Sequence, residues 1–124
     1  MKKALIAGLM MLAGIAHSAE WLNTEVNIFN GGSSVYAVDI SSVGIDKGNI
    51  RTAWTKSNSK IDNSEFAGFT YITINCEKQM WRATWGETYL NGVVYTKPGP
   101  LDGPWNFFDF SKQKDTNMFR AICR

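Results

Sequence analysis

Histidine is almost missing from this chain: His17 is the only one, and it lies in a segment that we expect to be removed. A mature chain without imidazole has no histidine to act as a base or metal ligand, which excludes histidine-dependent triads and most zinc sites. Neither a G-x-G-x-x-G nor a P-loop pattern occurs. We therefore predict a non-enzymatic protein with no catalytic residue, metal or cofactor. A hydrolase that uses only carboxylates is a distant alternative.

The chain also lacks a hydrophobic run long enough to span a bilayer. Its longest apolar stretch is Ala4–Ala16, 13 residues, whereas a spanning helix needs roughly 20. Lys2 and Lys3 precede this stretch and small residues follow it. This order is typical of a cleaved secretory signal peptide, which we place at residues 1–19. The sequence leaves open whether cleavage follows Ser18 or Ala19, and no cysteine is present at a lipobox position.

Excess charge of one sign is absent as well. The chain has 13 basic and 11 acidic residues, and removal of Lys2 and Lys3 leaves 11 of each. Because nucleic-acid and anionic-membrane surfaces require clustered Lys and Arg, we predict neither partner. About 105 residues then remain, enough for one domain, which we place at residues 20–124.

Only two cysteines are present, Cys76 and Cys123. In an exported chain such a pair favours a structural disulfide. Free or catalytic thiols are the alternative, but the spacing is not C-x-x-C and no histidine is near. The bond would bring the end of the chain onto the middle of the predicted sheet.

The chain is rich in β-forming residues, and the stretch 66–85 organises the predicted fold. Its two β-rich runs, Phe66–Cys76 and Met80–Trp85, flank a short polar link and predict a hairpin. Alternation places Cys76, Trp81 and Trp85 on one face, which we take as the inner face. We expect Gly86 to mark a β-bulge, since without one Glu87 would point inward.

The remaining patterns predict about six antiparallel strands. Turn signals stand at residues 30–33, 46–49 and, most clearly, Asn91-Gly92. We expect residues 57–65 to form a mobile loop and residues 97–105, which hold all three prolines, to leave the sheet. A helix over Lys112–Ile122, capped by Ser111 or starting later at Asp115, would present one apolar stripe. The predicted class is α+β: a single sheet with a C-terminal helix on one face, tied by the disulfide.

Aromatic residues are abundant. We assign Trp54, Trp81 and Trp85 to the core or its edge, and Trp21 and Trp105 to covering positions. One helix cannot cover both faces of a sheet, so the outer face is the candidate for binding a partner protein or a second copy of the chain. The alternative is an ordinary solvated face. The candidate residues are Phe69, Tyr71, Met80, Arg82 and Tyr95.

The order of these features resembles the surface-adhesin protein E family of Gram-negative bacteria. The residues that carry the resemblance are Trp21, Tyr36, Asp39, Ser41-Ser42, Gly48-Asn49, Trp54, Cys76, Trp81-Arg82, Gly99-Pro100, Gly103-Pro104-Trp105 and Cys123. It spans nearly the whole mature chain. It implies an antiparallel sheet with a helix tied by a Cys76–Cys123 bond, a surface location, dimerisation, and binding to host vitronectin, laminin and plasminogen.

Two hypotheses follow. The first is an exported, non-catalytic binding protein of the adhesin E type, located in the periplasm, on the cell surface or in the medium. The alternative is a periplasmic module that maintains the envelope or inhibits an enzyme. The family's namesake is lipidated and this chain has no lipobox cysteine, so the final compartment stays open.

Overall fold

A computed structural model describes residues 18–124. The predicted signal peptide lies almost wholly outside the described residues. Eight strands and one α-helix follow in order. The strands are β1 (Trp21–Phe29), β2 (Gly32–Asp39), β3 (Gly44–Lys47), β4 (Ile50–Ile61), β5 (Ser64–Asn75), β6 (Met80–Leu90), β7 (Val93–Pro100) and β8 (Asn106–Phe107). A 3₁₀ turn covers Ile40–Ser42, and helix α1 covers Gln113–Ile122.

All strands belong to one antiparallel, curled sheet. Six of them lie side by side in the order β1-β2-β4-β5-β6-β7, while β3 pairs with β4 and β8 pairs with β6. Neighbours along the sheet are nearly always neighbours in sequence, so tight hairpins make most connections. The turn at Asn91-Gly92 has positive φ at both residues, 51° and 82°, the conformation that a two-residue type I′ hairpin requires.

The core lies between the sheet and α1, on what we call the helix face. Val38, Ala53, Ile72 and Ile74 from β2, β4 and β5 pack against Ile122 of the helix, and each is at most 3% exposed. Phe108 joins this cluster from the segment before the helix. The opposite side of the sheet, which we call the outer face, receives the alternate residues of each strand.

The predicted disulfide is present: Cys76 bonds to Cys123, with Cα atoms 5.6 Å apart. It joins the β5–β6 connection to the end of α1. The helix begins at Gln113 after Lys112, which makes no side-chain cap, so neither Ser111 nor Asp115 caps it as expected. The carboxylate of Asp115 instead accepts a hydrogen bond from the backbone N–H of Asp109 at 2.7 Å. Hydrogen bonds from Ser111 to the carboxylate of Asp109 lower its pKa.

The structure corrects the predicted strand count and two loop assignments. There are eight strands because β3 and β8 add short pairings to the six main ones. The polar stretch expected as a mobile loop lies mostly in β4 and β5, joined by a tight turn at Asp62-Asn63. Backbone pairing with β2 and β5 on both sides of β4 outweighs its weak β propensity. Residues 97–100, predicted outside the sheet, complete β7.

Trp54 and Trp85, predicted in the core or at its edge, are half-buried on the outer face and do not pack against the core cluster. Trp54 lies opposite Tyr71 on the outer face, while the small neighbour Ala53 takes the buried position. Trp85 lies on the outer face because β6 has one extra residue, Thr84, at a bulge opposite the Tyr71/Ile72 step. The bulge predicted at Gly86 lies two residues earlier in the pairing with β5, and it directs Glu87 outward. The pairing with β7 is also irregular, between Gly86 and Thr88. Trp81 does pack against the core.

Candidate functional site

A row of aromatic side chains crosses the middle of the outer face. Trp54 on β4 lies opposite Tyr71 on β5, which lies opposite Trp85 on β6. The ring centroids of Trp54 and Tyr71 are 5.0 Å apart, with the planes tilted by 55°. Directly opposed side chains on neighbouring strands interact, so the three residues form one strip across three strands.

More aromatic rings extend this strip along the sheet. Phe69 follows Tyr71 on the same face of β5, and its ring centroid is 6.3 Å from that of Trp21 and 6.4 Å from that of Tyr89. These separations lie in the range for favourable aromatic pairs. We call the following six half-buried residues the aromatic surface: Trp21, Trp54, Phe69, Tyr71, Trp85 and Tyr89.

A lysine contributes a positive charge to the aromatic surface. The Nζ atom of Lys56 lies 4.5 Å from the centroid of the Trp21 ring, well inside the cation–π range of about 6 Å. Lys56 also lies opposite Phe69 in the pairing of β4 with β5. The ammonium is therefore held against the rings, and the aromatic surface combines apolar area with a positioned cation.

Two carboxylates line a shallow depression of about 420 Å³ in this surface. They are Asp39 and Glu87, and the other lining residues are Trp21, Trp54 and Phe69. Asp39 is buried, and its Oδ1 accepts hydrogen bonds from the backbone N–H groups of Glu20 at 2.9 Å and Ser41 at 3.0 Å. The backbone therefore fixes the position of this carboxylate.

Glu87 has a different partner. Its Oε1 accepts a hydrogen bond of 2.9 Å from the hydroxyl of Tyr89. This hydrogen bond, together with partial burial and the negative charge of Glu87, raises the pKa of Tyr89. The phenol remains a protonated donor to the carboxylate well into alkaline solution.

The structure separates the residues predicted as a partner-binding or dimer face. Phe69 and Tyr71 lie in the aromatic surface. Met80 and Arg82 share its side of β6 by register. The Arg82 guanidinium binds the Asp102 carboxylate at 2.7 Å and lies 5.8 Å from the Trp105 ring centroid. Arg82 therefore joins the sheet to the segment after β7.

Tyr95 does not belong with the others. It is 67% exposed, and its ring contacts Phe66 edge-to-face at 5.7 Å. Phe66 points to the helix face, because it lies an even number of positions along β5 from the buried Ile72. The predicted set is thus divided between the two sides of the sheet.

Sequence reasoning missed most of the aromatic surface. The sequence pattern assigns Trp21, Trp54 and Trp85 to packing roles, and it gives no reason to group Lys56 with them. Glu87 is considered as a site residue only among the carboxylates of the hydrolase alternative. The signal that would have found Trp54 is its register opposite Tyr71, which follows once the β4–β5 turn is placed at Asp62. Nothing in the sequence gives the exact position of the bulge that turns Trp85 outward.

Within residues 18–124, no three His, Cys, Asp or Glu side chains lie close enough together to hold a metal ion. In the same part of the chain, α1 is too short and too polar to cross a membrane.

Comparison of the chain with models of protein families, with curated proteins and with solved structures finds no match. The resemblance to the surface-adhesin protein E family therefore stays a prediction from the residues.

Proposed function

We propose that this chain is an exported, non-catalytic binding protein that contacts a protein partner through its aromatic surface. The observation that carries this proposal is the grouping of six half-buried aromatic residues on the face opposite the helix. Aromatic residues are enriched where proteins associate and dominate the energetics of such contacts. None of the six belongs to the core cluster on the helix face.

The placement of these rings on strands favours binding over a purely structural role. The four strands that carry them, β1, β4, β5 and β6, belong to one continuous sheet. Five of the six rings, all but that of Trp85, contact another ring of the aromatic surface, so their rotamers are restricted before any partner arrives. Pre-ordered side chains lose little conformational entropy on association, which leaves more of the contact energy as affinity.

The resemblance to the adhesin E family suggests the partner class: host matrix and serum proteins such as vitronectin, laminin and plasminogen. The depression adjoining Trp21 and Glu87 suits an apolar or basic side chain of the partner, since carboxylates line it. Lys56 at its edge would in turn favour an acidic group nearby.

The test is binding of the purified protein to immobilised vitronectin, laminin and plasminogen at several salt concentrations. We expect Tyr71→Glu, which puts a charge in the middle of the aromatic surface, to weaken binding by about 2 kcal/mol, roughly thirtyfold in Kd. Tyr95→Glu is the matched control because the same change is made at an exposed position on the other side of the sheet. Equal loss in both variants, or no binding by the unchanged protein, would contradict the proposal.

Labelling of intact cells distinguishes adhesion from the alternative, a periplasmic envelope or inhibitor module. An adhesin must be labelled by a reagent that does not cross the outer membrane. If labelling occurs only after the outer membrane is permeabilised, direct contact with host proteins is excluded and the periplasmic role is the better explanation.

A further inference from the structure

A separate cleft of about 310 Å³ lies on the helix face, between α1 and the sheet. It is on the side opposite the aromatic surface, so it does not depend on the function proposed above. Its floor consists of strand residues from the middle of the sheet: Thr55, Ser57, Thr70, Ile72 and Ala83.

The cleft exists because the floor residues are small. Towards its end at Cys123 the helix rests on Ile74 and Ile72, which fill the space beneath it. Further along β4 and β5 the same face carries Thr55, Ser57, Gly68 and Thr70. Interiors are close-packed where side chains are large enough to meet, so this row of short side chains leaves a space that the helix does not fill.

The walls of the cleft are mainly apolar. Four of the large side chains that line it are those of Tyr36, Trp81, Leu101 and Met118. Leu101 lies directly above Gly86, where a Cβ would come within 2.8 Å of the leucine Cδ1. Two lining hydroxyls are already used, since Thr55 donates to the carbonyl of Thr70 and Thr24 to that of Tyr36, each at 3.1 Å. The interior therefore favours an apolar ligand body.

The charged groups of the cleft differ in their availability. Asp115 is 9% exposed and its carboxylate is engaged by the backbone N–H of Asp109. Lys114 has its Nζ 4.4 Å from the ring centroid of Tyr36. Among residues 18–124 the sole ion pair is that of Arg82 with Asp102, so the Lys114 ammonium has no carboxylate partner within this part of the chain.

We propose that this cleft binds a small amphipathic monocarboxylate, such as a medium-chain fatty acid. The apolar body would lie over Ile72 and Ala83, and the carboxylate would accept hydrogen bonds from the Lys114 ammonium. Lys56 also lines the cleft, but its ammonium lies against the Trp21 ring on the outer face. The Lys114 ammonium is therefore the cation that an anionic head inside the cleft would meet. The volume lies at the lower end of the range for ligand sites, which limits the ligand to a small one.

The experiment is calorimetric titration of the purified protein with decanoate, below the concentration at which decanoate forms micelles. Decanol and decylamine serve as neutral and cationic probes of the same chain length. We expect decanoate to bind, decanol to bind about tenfold more weakly, and decylamine weaker still, because the Lys114 ammonium forms a stronger hydrogen bond with a carboxylate than with a hydroxyl and repels an ammonium. Equal binding of all three probes, or no binding of decanoate, would overturn the proposal.

Two variants test the location. Lys114→Gln should weaken decanoate binding about tenfold and leave decanol binding unchanged, whereas Lys60→Gln, an exposed lysine outside the cleft, should change neither. Thr70→Leu should fill the floor and weaken both ligands. Unchanged decanoate affinity in Lys114→Gln would overturn the assignment of the head group.

A measurement on the unchanged protein keeps the test independent of how Thr70→Leu folds. Decanoate should shift the backbone amide resonances of Thr55, Thr70, Ala83 and Lys114 in a two-dimensional NMR spectrum. Shifts confined instead to Trp54, Phe69 and Trp85 would place the ligand on the aromatic surface and overturn the cleft site.

Discussion

The Tyr89 hydroxyl, on the aromatic surface, donates a hydrogen bond to the carboxylate of Glu87. Both groups titrate, so this hydrogen bond depends on pH. The raised pKa of Tyr89 means that the folded protein holds this proton more tightly than the unfolded chain does. The contribution of this pair to stability is therefore fully present below the ordinary tyrosine pKa of about 10. It is lost as the pH rises through the folded-state value.

We expect Glu87→Gln to lower the pKa of Tyr89 towards its ordinary value, because the carboxylate that favours the protonated phenol is removed. The measurement is a spectroscopic titration of phenolate formation, with Tyr89→Phe used to assign the Tyr89 component. Glu77→Gln, at an exposed residue beyond the end of β5, is the matched control. An unchanged titration in Glu87→Gln would show that the hydrogen bond is not maintained in solution.

Helix α1 is held to the sheet by a covalent bond at its end and by polar contacts along its length. The disulfide closes a loop of 47 residues. The side chain of Asn117 donates a 2.9 Å hydrogen bond to the carbonyl of Thr24, where the β1–β2 register shifts at a bulge. This hydrogen bond occupies a carbonyl on the edge strand β1, so that carbonyl is less available for pairing with another chain.

We expect the double substitution Cys76→Ser, Cys123→Ser to lower the free energy of unfolding by about 4 kcal/mol, because a loop of this length gains that much entropy in the unfolded chain when it is opened. Denaturant unfolding monitored by circular dichroism measures the loss. Chemical reduction of the unchanged protein should reproduce it. Equal stability of the reduced and oxidised forms would contradict the role assigned to this bond.

Local sequence patterns predicted most of the strands and the helix, but they predicted less well which face of the sheet each side chain occupies. Asn91-Gly92 fixed one hairpin because few residue pairs accept two positive φ angles. The cysteine pair placed the helix on the sheet. The polar stretch in β4 was missed because its strand structure comes from pairing on both sides, which no window of that sequence contains.

The candidate site was predictable in part for the same reason. Phe69 and Tyr71 alternate on one strand, so their shared face follows from β geometry alone. Their grouping with Trp21 and Trp54 requires three strand registers, and a shift of one residue in any of them moves a whole strand to the other face. Tyr95 was wrongly grouped with them because a bulge in the β6–β7 pairing displaces it.

At the scale of the whole molecule, the two sides of the sheet are suited to different ligands. The outer face offers a broad aromatic surface, and the helix face offers a small cleft with the Lys114 ammonium. Lys56 lines the cleft and also contacts Trp21, so it is common to both sites. For the other residues, which lie on one side of the sheet or the other, we expect substitutions in one site to leave binding at the other nearly unchanged.

The aromatic surface also suits a second copy of the chain. We expect the protein to form a homodimer through this face, and Tyr71→Glu to shift it to monomer because two charges would then meet at the interface. Light scattering over a range of concentrations measures the change, with Tyr95→Glu as the control. A monomeric unchanged protein would exclude the dimer without affecting the proposed binding of other proteins.

The extra residue at the β6 bulge has a genetic consequence. An in-frame deletion of the Thr84 codon would leave the register on both sides of the bulge intact, because Thr84 has no partner on β5. Ala83 would then join directly to Trp85, and alternation would keep Ala83 on the helix face and Trp85 on the outer face. A lesion of three nucleotides at this codon would thus spare both sites, whereas the loss of a paired residue of β5 or β6 would turn part of that strand over.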